Sequence, residues 1–247
     1  MKTRIIQKQF KRKESKYILN KVVWERFSQE MAAYMTQDEF ATSTITNIYF
    51  DNQDFQMIQD SIAKKNGREK VRMRLYAVHP EASSQAFLEI KKKENKIGYK
   101  FRLTSNPISI GRYIENGIVD STITDQTVTD ELSQLRKRYG RIQPMMYIYY
   151  DRESFKGKTD SKIRITIDQQ LLYRWTEVDA LAGKFGQPLL DPNKVIMEVK
   201  VPGERPEWLE ELLTKYKIEK QSFSKYGRAY QLAMADKEGE SHADAVI

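Results

Sequence analysis

The sequence predicts an α+β fold built on antiparallel strands, about eight or nine of them, closed into a barrel or stacked as a sandwich. Three observations predict it. Apolar and polar residues alternate with period two through most of the chain. Turn signals at Asn66-Gly67 and at Glu94-Asn95-Lys96 sit where hairpins should reverse. The rhythm of a parallel βαβ sheet is missing, as are a dinucleotide glycine fingerprint and a GxxxxGK[ST] phosphate loop.

Taken in order, the first strand is predicted near residues 5–18. A helix follows from Val22 to Met35, with apolar residues at helical spacing. Strands follow near 43–51, 69–77, 85–93 and 98–104. A second helix, Thr127 to Tyr139, ends in basic residues and stops at Gly140. Strands near 144–154, 162–168, 170–175 and 194–201 come next. Pro206 starts a helix to about Lys217, and Tyr226 to Ala235 forms the last. The expected organisation is one domain over residues 1–235 and a disordered tail over 236–247, where apolar periodicity fades.

Composition narrows the chemistry. Of 247 residues, 40% are hydrophobic and 31% charged, which is enough apolar material for a core. The absence of Cys excludes disulfides, thiol catalysis and Cys-based metal sites. His79 and His242 are the only histidines, one beside Pro80 and one in the polar tail, so a multi-histidine metal site is not expected. A metal would instead take carboxylate and substrate oxygens. No apolar run approaches the ~20 residues of a membrane span. The N-terminus lacks the apolar core of a secretory signal, so the expected location is cytoplasmic. The net charge of +8 points to an anionic partner.

The informative feature is which residues alternate. Lys70, Arg72 and Arg74 share one strand face against Val71, Met73 and Leu75. Phe87, Glu89, Lys91 and Lys93 oppose Leu88 and Ile90, with Lys92 on their side; Lys100 and Arg102 oppose Tyr99, Phe101 and Leu103. Arg164 opposes Ile163, Ile165 and Ile167; Glu198 and Lys200 oppose Val195, Met197 and Val199; Arg12, Glu14 and Lys16 lie together. Two arrangements satisfy this pattern. The charges face water over an apolar core, or they line the inside of a barrel whose apolar outer face is covered by helices. The sign of the charges adds a constraint, because like charges on neighbouring strands repel unless an anion sits between them. Arg and Lys around a phosphate chain supply charge-assisted hydrogen bonds.

Several segments resemble the VTC domain, the polyphosphate polymerase domain of the vacuolar transporter chaperone proteins, in its stand-alone bacterial form. They are Arg12 to Tyr17, Ile48 to Asp51, Val71 to Tyr76, Phe87 to Lys91, Tyr99 to Arg102, Pro144 through Tyr150 to Phe155, Arg164 to Asp168, Glu198 to Lys200 and Ser224 to Tyr226. The resemblance implies the triphosphate tunnel fold, a closed antiparallel β-barrel of about eight strands with basic walls and flanking helices. It implies transfer of the ATP γ-phosphate to a growing polyphosphate chain, with manganese, or alternatively magnesium, as the divalent metal.

By the same resemblance Arg72, Arg74, Lys91, Lys100, Arg152 and Lys200 are the expected catalytic residues. Lys16, Tyr150, Lys225, Arg12, Arg102 and Arg164 are the expected substrate contacts. Glu198 is the expected metal carboxylate, with Glu14 and Glu89 as further candidates for the metal or for orienting a Lys. Each has a structural alternative: Arg72 and Arg74 could pair with Glu89, Glu198 could bridge cations, and Tyr150 could be core. Asp168 is a weak candidate that could cap a turn. One departure stands out: the family commonly has Lys-Phe-Ser-Lys where this chain has Ser222-Phe223-Ser224-Lys225.

The expected partners are ATP and inorganic polyphosphate, with a membrane partner left open. A metal-dependent triphosphatase acting on tripolyphosphate or nucleoside triphosphate is the alternative enzyme. A non-catalytic polyphosphate or inositol-phosphate binding module is the alternative that is not one. Nucleic acid is not expected, because the basic residues lie on strand faces without a recognised nucleic-acid motif.

Overall fold

The computed structural model describes residues 13–244. Among them nine strands and six helices form a mixed α+β fold. The elements run β1 (Lys13–Asn20), α1 (Lys21–Met31), β2 (Met35–Asp51), α2 (Gln56–Ile62), β3 (Arg68–Leu75), β4 (Ala86–Glu94), β5 (Ile97–Ser105), α3 (Pro107–Asn116), α4 (Gln126–Tyr139), β6 (Gln143–Gly157), β7 (Arg164–Arg174), β8 (Gln187–Pro188), β9 (Lys194–Val201), α5 (Glu207–Lys215) and α6 (Lys225–Asp244).

The strands pair in the order β1-β9-β7-β6-β2-β3-β4-β5, with β8 on β7. The pairings β1–β9, β2–β3, β3–β4, β4–β5, β7–β8 and β7–β9 are antiparallel. The path ends at β1 and β5, so the sheet is not closed among the described residues, unlike the barrel expected from the resemblance. The first strand was expected from residue 5; residues 5–12 lie outside the described residues, and so does Arg12. Helix α6 extends to Asp244, into the stretch expected to be a tail.

Local chemistry explains the elements that periodicity missed. Helix α3 has an Asn106 cap whose side chain accepts from the Ser109 amide, Pro107 in its first turn, and Gly117 at φ 72 after its end. Helix α2 spans only seven residues, too few to show a period. The two strands expected at 162–168 and 170–175 are the single strand β7, which passes through Gln170 in the left-handed region at φ 53. The β4–β5 turn is the expected tight reversal: Glu94 pairs with Ile97, and Asn95 and Lys96 both have positive φ, the signature of a two-residue type I′ turn.

The chain divides into two compact units. The first comprises residues up to Ser43, Asp151–Gln170 and Leu190–Ser222. Here β1, β9 and β7 turn Tyr17, Leu19, Ile165, Ile167, Val195, Met197, Val199 and Val201 into an apolar cluster. Trp24, Phe27 and Met31 of α1 and Leu209, Leu212 and Leu213 of α5 complete it. The opposite strand face carries Glu14, Lys16, Arg164, Thr166, Glu198 and Lys200.

The second unit comprises Thr44–Tyr150, Leu171–Leu189 and Phe223 onward. Val71, Met73, Leu75, Leu88, Ile90 and Leu103 pack against Ile110, Tyr113 and Ile114 of α3 and Val128, Leu132 and Leu135 of α4. Truncating one of these fully buried residues, such as Leu88, to Ala costs about 2–5 kcal/mol. In each unit, therefore, helices cover the apolar face of the strands and leave the charged face opposite. Water does not drive this face apart from the core by itself; the pleat does, since alternate side chains must point opposite ways.

Candidate functional site: two cationic strand faces

In the second unit the register stacks the charged residues in rows. Tyr49, Arg72, Glu89 and Arg102 are successive cross-strand neighbours, and so are Asn47, Arg74, Phe87 and Thr104. Lys70, Lys91 and Lys100 form the next row. Glu89, 1% exposed, is the acid of this face. Its Oε2 accepts from Arg72 Nε at 2.8 Å and lies 2.6 Å from Arg72 Nη2. Its Oε1 is 2.8 Å from Lys100 Nζ and 3.4 Å from Arg102 Nε. Burial acts to raise the Glu89 pKa, but Arg72, Arg74 and Lys100 hold it well below the usual carboxylate range.

Arg74 is buried and fixed from three sides. Its Nε donates to Asn47 Oδ1 at 3.0 Å, Nη2 to the Tyr150 hydroxyl at 3.0 Å and Nη1 to the Tyr76 hydroxyl at 3.4 Å. Arg72 donates through Nη1 to the Tyr49 hydroxyl at 3.2 Å. Each guanidinium thus has three of its five N–H groups engaged and keeps donors for an anion. Tyr150 is 2% exposed, and Lys225 Nζ stands 4.5 Å from its ring centroid. Lys70 Nζ donates to Ser224 Oγ at 3.2 Å at the start of α6.

Asp51 ties this wall together. It is fully buried and accepts from the amides of Asn52, Met57 and Ile58 and from the Tyr226 hydroxyl at 3.0 Å. Burial pushes its pKa up against those four donors. Tyr226 in turn stacks on Tyr49, with centroids 4.6 Å apart. One buried carboxylate therefore holds α2, α6 and the residue that supports Arg72.

The first unit carries its own cluster. Glu14 pairs in register with Lys200 and Lys200 with Arg164; Lys16 pairs with Glu198 and Glu198 with Thr166. Glu198, 7% exposed, stands 3.6 Å from Lys16 Nζ, 3.6 Å from Lys200 Nζ and 3.7 Å from Arg152 Nη2. Glu14 lies 3.7 Å from Lys16 and 3.9 Å from Lys200. Arg152 is gripped at both ends of its fork by the fully buried Asp168, Nε to Oδ1 at 2.5 Å and Nη2 to Oδ2 at 2.8 Å.

The residues expected from sequence thus fall into two groups. Arg72, Arg74, Glu89, Lys91, Lys100, Arg102, Tyr150 and Lys225 belong to the second unit. Glu14, Lys16, Arg152, Arg164, Glu198 and Lys200 belong to the first. Arg164 is turned to Asp38, to which its Nη2 donates. Asp168, weak as a sequence candidate, is the partner that positions Arg152. Asn47, Tyr49, Asp51, Lys70 and Tyr76 escaped the site reading. Their signal was alternation on β2 and β3, which has no use until the register places Asn47 opposite Arg74 and Tyr49 opposite Arg72.

Metal candidates separate by geometry. Glu89 has each oxygen within 3 Å of a cation, so it fits the role of orienting Arg72 and Lys100. Glu198 has its cations at 3.6–3.7 Å, and its cross-strand neighbour Thr166 has a buried hydroxyl with no hydrogen-bond partner among the described residues. That set fits a divalent ion that arrives with phosphate oxygens, since one or two carboxylates suffice there. A cage made of protein groups alone does not fit: among the described residues no group of three or more His, Asp or Glu could hold an ion.

Comparison with known proteins agrees with this architecture. The fold is similar to that of a candidate adenylate cyclase from Bacillus halodurans, with a TM-score of 0.53 and 14% identity over 85% of this chain and 92% of that one. A protein of Pyrococcus horikoshii OT3 matches with a TM-score of 0.44 and 15% identity over 92% of this chain and 99% of that one. At such identity the first likeness bears on the fold alone. The model of the VTC domain matches residues 11–234, a span that includes both charged strand faces. By that match the chain belongs to the VTC domain family.

Proposed function

We propose that the protein is an ATP-dependent inorganic polyphosphate polymerase that transfers the ATP γ-phosphate to a growing polyphosphate chain. The observation that carries this is the row structure of the second unit: Arg72, Arg74, Lys91, Lys100 and Arg102 share one strand face with Glu89 as its acid. Membership of the VTC family supports it. The closed triphosphate tunnel and a cytoplasmic location belong to the same proposal. Among the described residues no helix is long and apolar enough to cross a membrane.

Phosphoryl transfer asks little covalent chemistry of the protein; it needs in-line positioning and cancellation of charge on the transferring group. Arg74 and Arg72, preset by Tyr150, Asn47, Tyr49 and Glu89, are donors whose orientation is settled before substrate arrives. Lys91, Lys100, Arg102 and Lys225 add further positive charge, and Lys16, Arg152 and Lys200 do so in the first unit. The acceptor is a terminal phosphate oxygen, already ionised near neutral pH, so no general base is required. Neither cluster contains a His. Glu198, with Glu14 and Thr166 beside it, would hold manganese or magnesium, which draws charge from phosphate oxygens.

The test is incubation with ATP carrying a labelled γ-phosphate and Mn²⁺, followed by a gel for long phosphate chains. Labelled chains are expected. Release of free phosphate without chains makes the protein a triphosphatase, and salt-sensitive binding without turnover makes it a binding module. Wild-type synthesis by Arg74→Ala overturns the assignment of the catalytic face.

A further inference from the structure

The second unit contains a pocket of about 350 Å³ at the end of β3, β4 and β5 nearest the Asn95-Lys96 turn. Six of its lining residues are basic and one is acidic. The acid, Glu69, points to the other side of the sheet, where it meets Arg138 at 2.6 Å and the Tyr139 hydroxyl at 3.0 Å. Lys92 points that way too, 3.3 Å from Glu131. Arg68, Lys70, Lys91, Lys93 and Lys100 remain on the charged face.

The register gives this pocket its shape. Arg68 pairs with Lys93 and Lys93 with Gly98; Lys70 pairs with Lys91 and Lys91 with Lys100. No acidic residue stands in either row, and like charges placed directly opposite across strands are unfavourable. Lys100 is held by Glu89 of the adjoining row at 2.8 Å, and Arg68 and Lys70 are braced as well. Arg68 Nη1 donates to the carbonyls of Lys64 and Lys65 at 3.0 and 2.8 Å, and Lys70 is held by Ser224. Gly98 leaves the floor open, since a Cβ there would meet nothing within 4 Å.

We propose that this pocket is a subsite for the distal phosphates of an inorganic polyphosphate chain, those beyond the units held at Arg72 and Arg74. The proposal rests on the polyphosphate reading above and adds a dependence on chain length. The Arg68–Lys93 row lies about 13 Å along the strands from the Arg72 row, so only a chain several phosphates long engages both. Each non-bridging oxygen placed there relieves the cation–cation repulsion and forms a charge-assisted hydrogen bond. Lys91 and Lys100 are shared with the catalytic face, so selectivity for long chains over a triphosphate comes from the outer Arg68–Lys93 row.

Binding of tripolyphosphate and of long-chain polyphosphate to the full chain, measured by calorimetry at fixed salt, tests it with three variants. Gly98→Glu puts a carboxylate on the open floor. Gly98→Ala adds bulk without charge. Arg68→Ala with Lys93→Ala removes the outer row. The expected result is about a tenfold loss of long-chain affinity for Gly98→Glu and for the double variant, with tripolyphosphate affinity unchanged and Gly98→Ala like the wild type. Equal losses for both ligands, a matching loss in Gly98→Ala, or wild-type binding in every variant overturns the subsite and leaves the polymerase proposal standing. If the wild type binds neither ligand, the polyphosphate reading fails and the subsite fails with it.

Discussion

Arg72 and Glu89 face each other across β3 and β4, and the guanidinium closes on the carboxylate at 2.6–2.8 Å. The pair is not a surface salt bridge: the side chains are 13% and 1% exposed. Lys100 and Arg102 approach the other carboxylate oxygen from β5. A single acid thus sets the orientation of three cations, which keeps strong donors aligned at low local dielectric.

Replacing Glu89 by Gln leaves those cations without their counter-charge. Stability is expected to fall by about 3 kcal/mol, the cost of breaking a buried ion pair by removing one partner. Polyphosphate synthesis is expected to fall as Arg72 and Lys100 lose their alignment. Thermal melting and the chain-synthesis assay read the two effects. Unchanged melting would show that Glu89 is not the organising charge.

The pH dependence has a definite sign. The folded pKa of Glu89 lies far below its unfolded value of about 4.5. Its contribution to stability is therefore complete above pH 4.5 and is lost as pH falls below it. Asp51 is raised by burial, so its protonation on acidification works in the opposite direction. Melting temperature against pH should fall more steeply below 4.5 in the wild type than in Glu89→Gln.

Arg74→Ala is expected to reduce synthesis by about 100- to 1,000-fold, the usual loss when one preorganised donor to developing charge is removed. The fold should survive, since Asn47, Tyr76 and Tyr150 remain packed. Arg74→Lys should recover little, because one ammonium cannot reach three oxygens in a plane. Circular dichroism and initial rates separate a lost donor from a lost fold.

Metal removal gives another outcome. Chelation should stop synthesis and added Mn²⁺ should restore it. Glu198→Gln should raise the metal concentration needed for half-maximal rate by at least about tenfold. An identical metal titration in Glu198→Gln would remove Glu198 from the metal's coordination.

Asp168→Asn should weaken the hold on Arg152 and destabilise the first unit by about 3 kcal/mol. Ser222→Lys should act the other way on function. Ser222 is exposed, so the extra cation is tolerated, and polyphosphate affinity is expected to rise several-fold. Thermal melting checks the first, and isothermal titration with polyphosphate checks the second.

Alternation made the faces legible early. Val71, Met73, Leu75, Leu88 and Ile90 were read as the apolar side, and all five are buried beneath α3 and α4. Which side received helices was not legible, because period two records opposition and carries no information about what covers each face. Helix α3 was written in the sequence as Asn106-Pro107 and Gly117, a cap grammar that periodicity ignores. The short α2 is stabilised by Asp51 through Met57 and Ile58, a contact that depends on the turn at Phe55.

By its residues alone the chain determined that cations share strand faces, that it has no thiol to use, and, through its motifs, which family to compare it with. Tertiary structure decided what each carboxylate touches. Glu89 and Glu198 look alike in sequence, each two residues from a Lys on a half-apolar strand. Register gives the first an Arg within 3 Å and the second three cations at 3.6–3.7 Å. The reason is that side-chain direction is a local property of the pleat, whereas pairing energy depends on which strand hydrogen-bonds to which, and that depends on residues far apart in the chain.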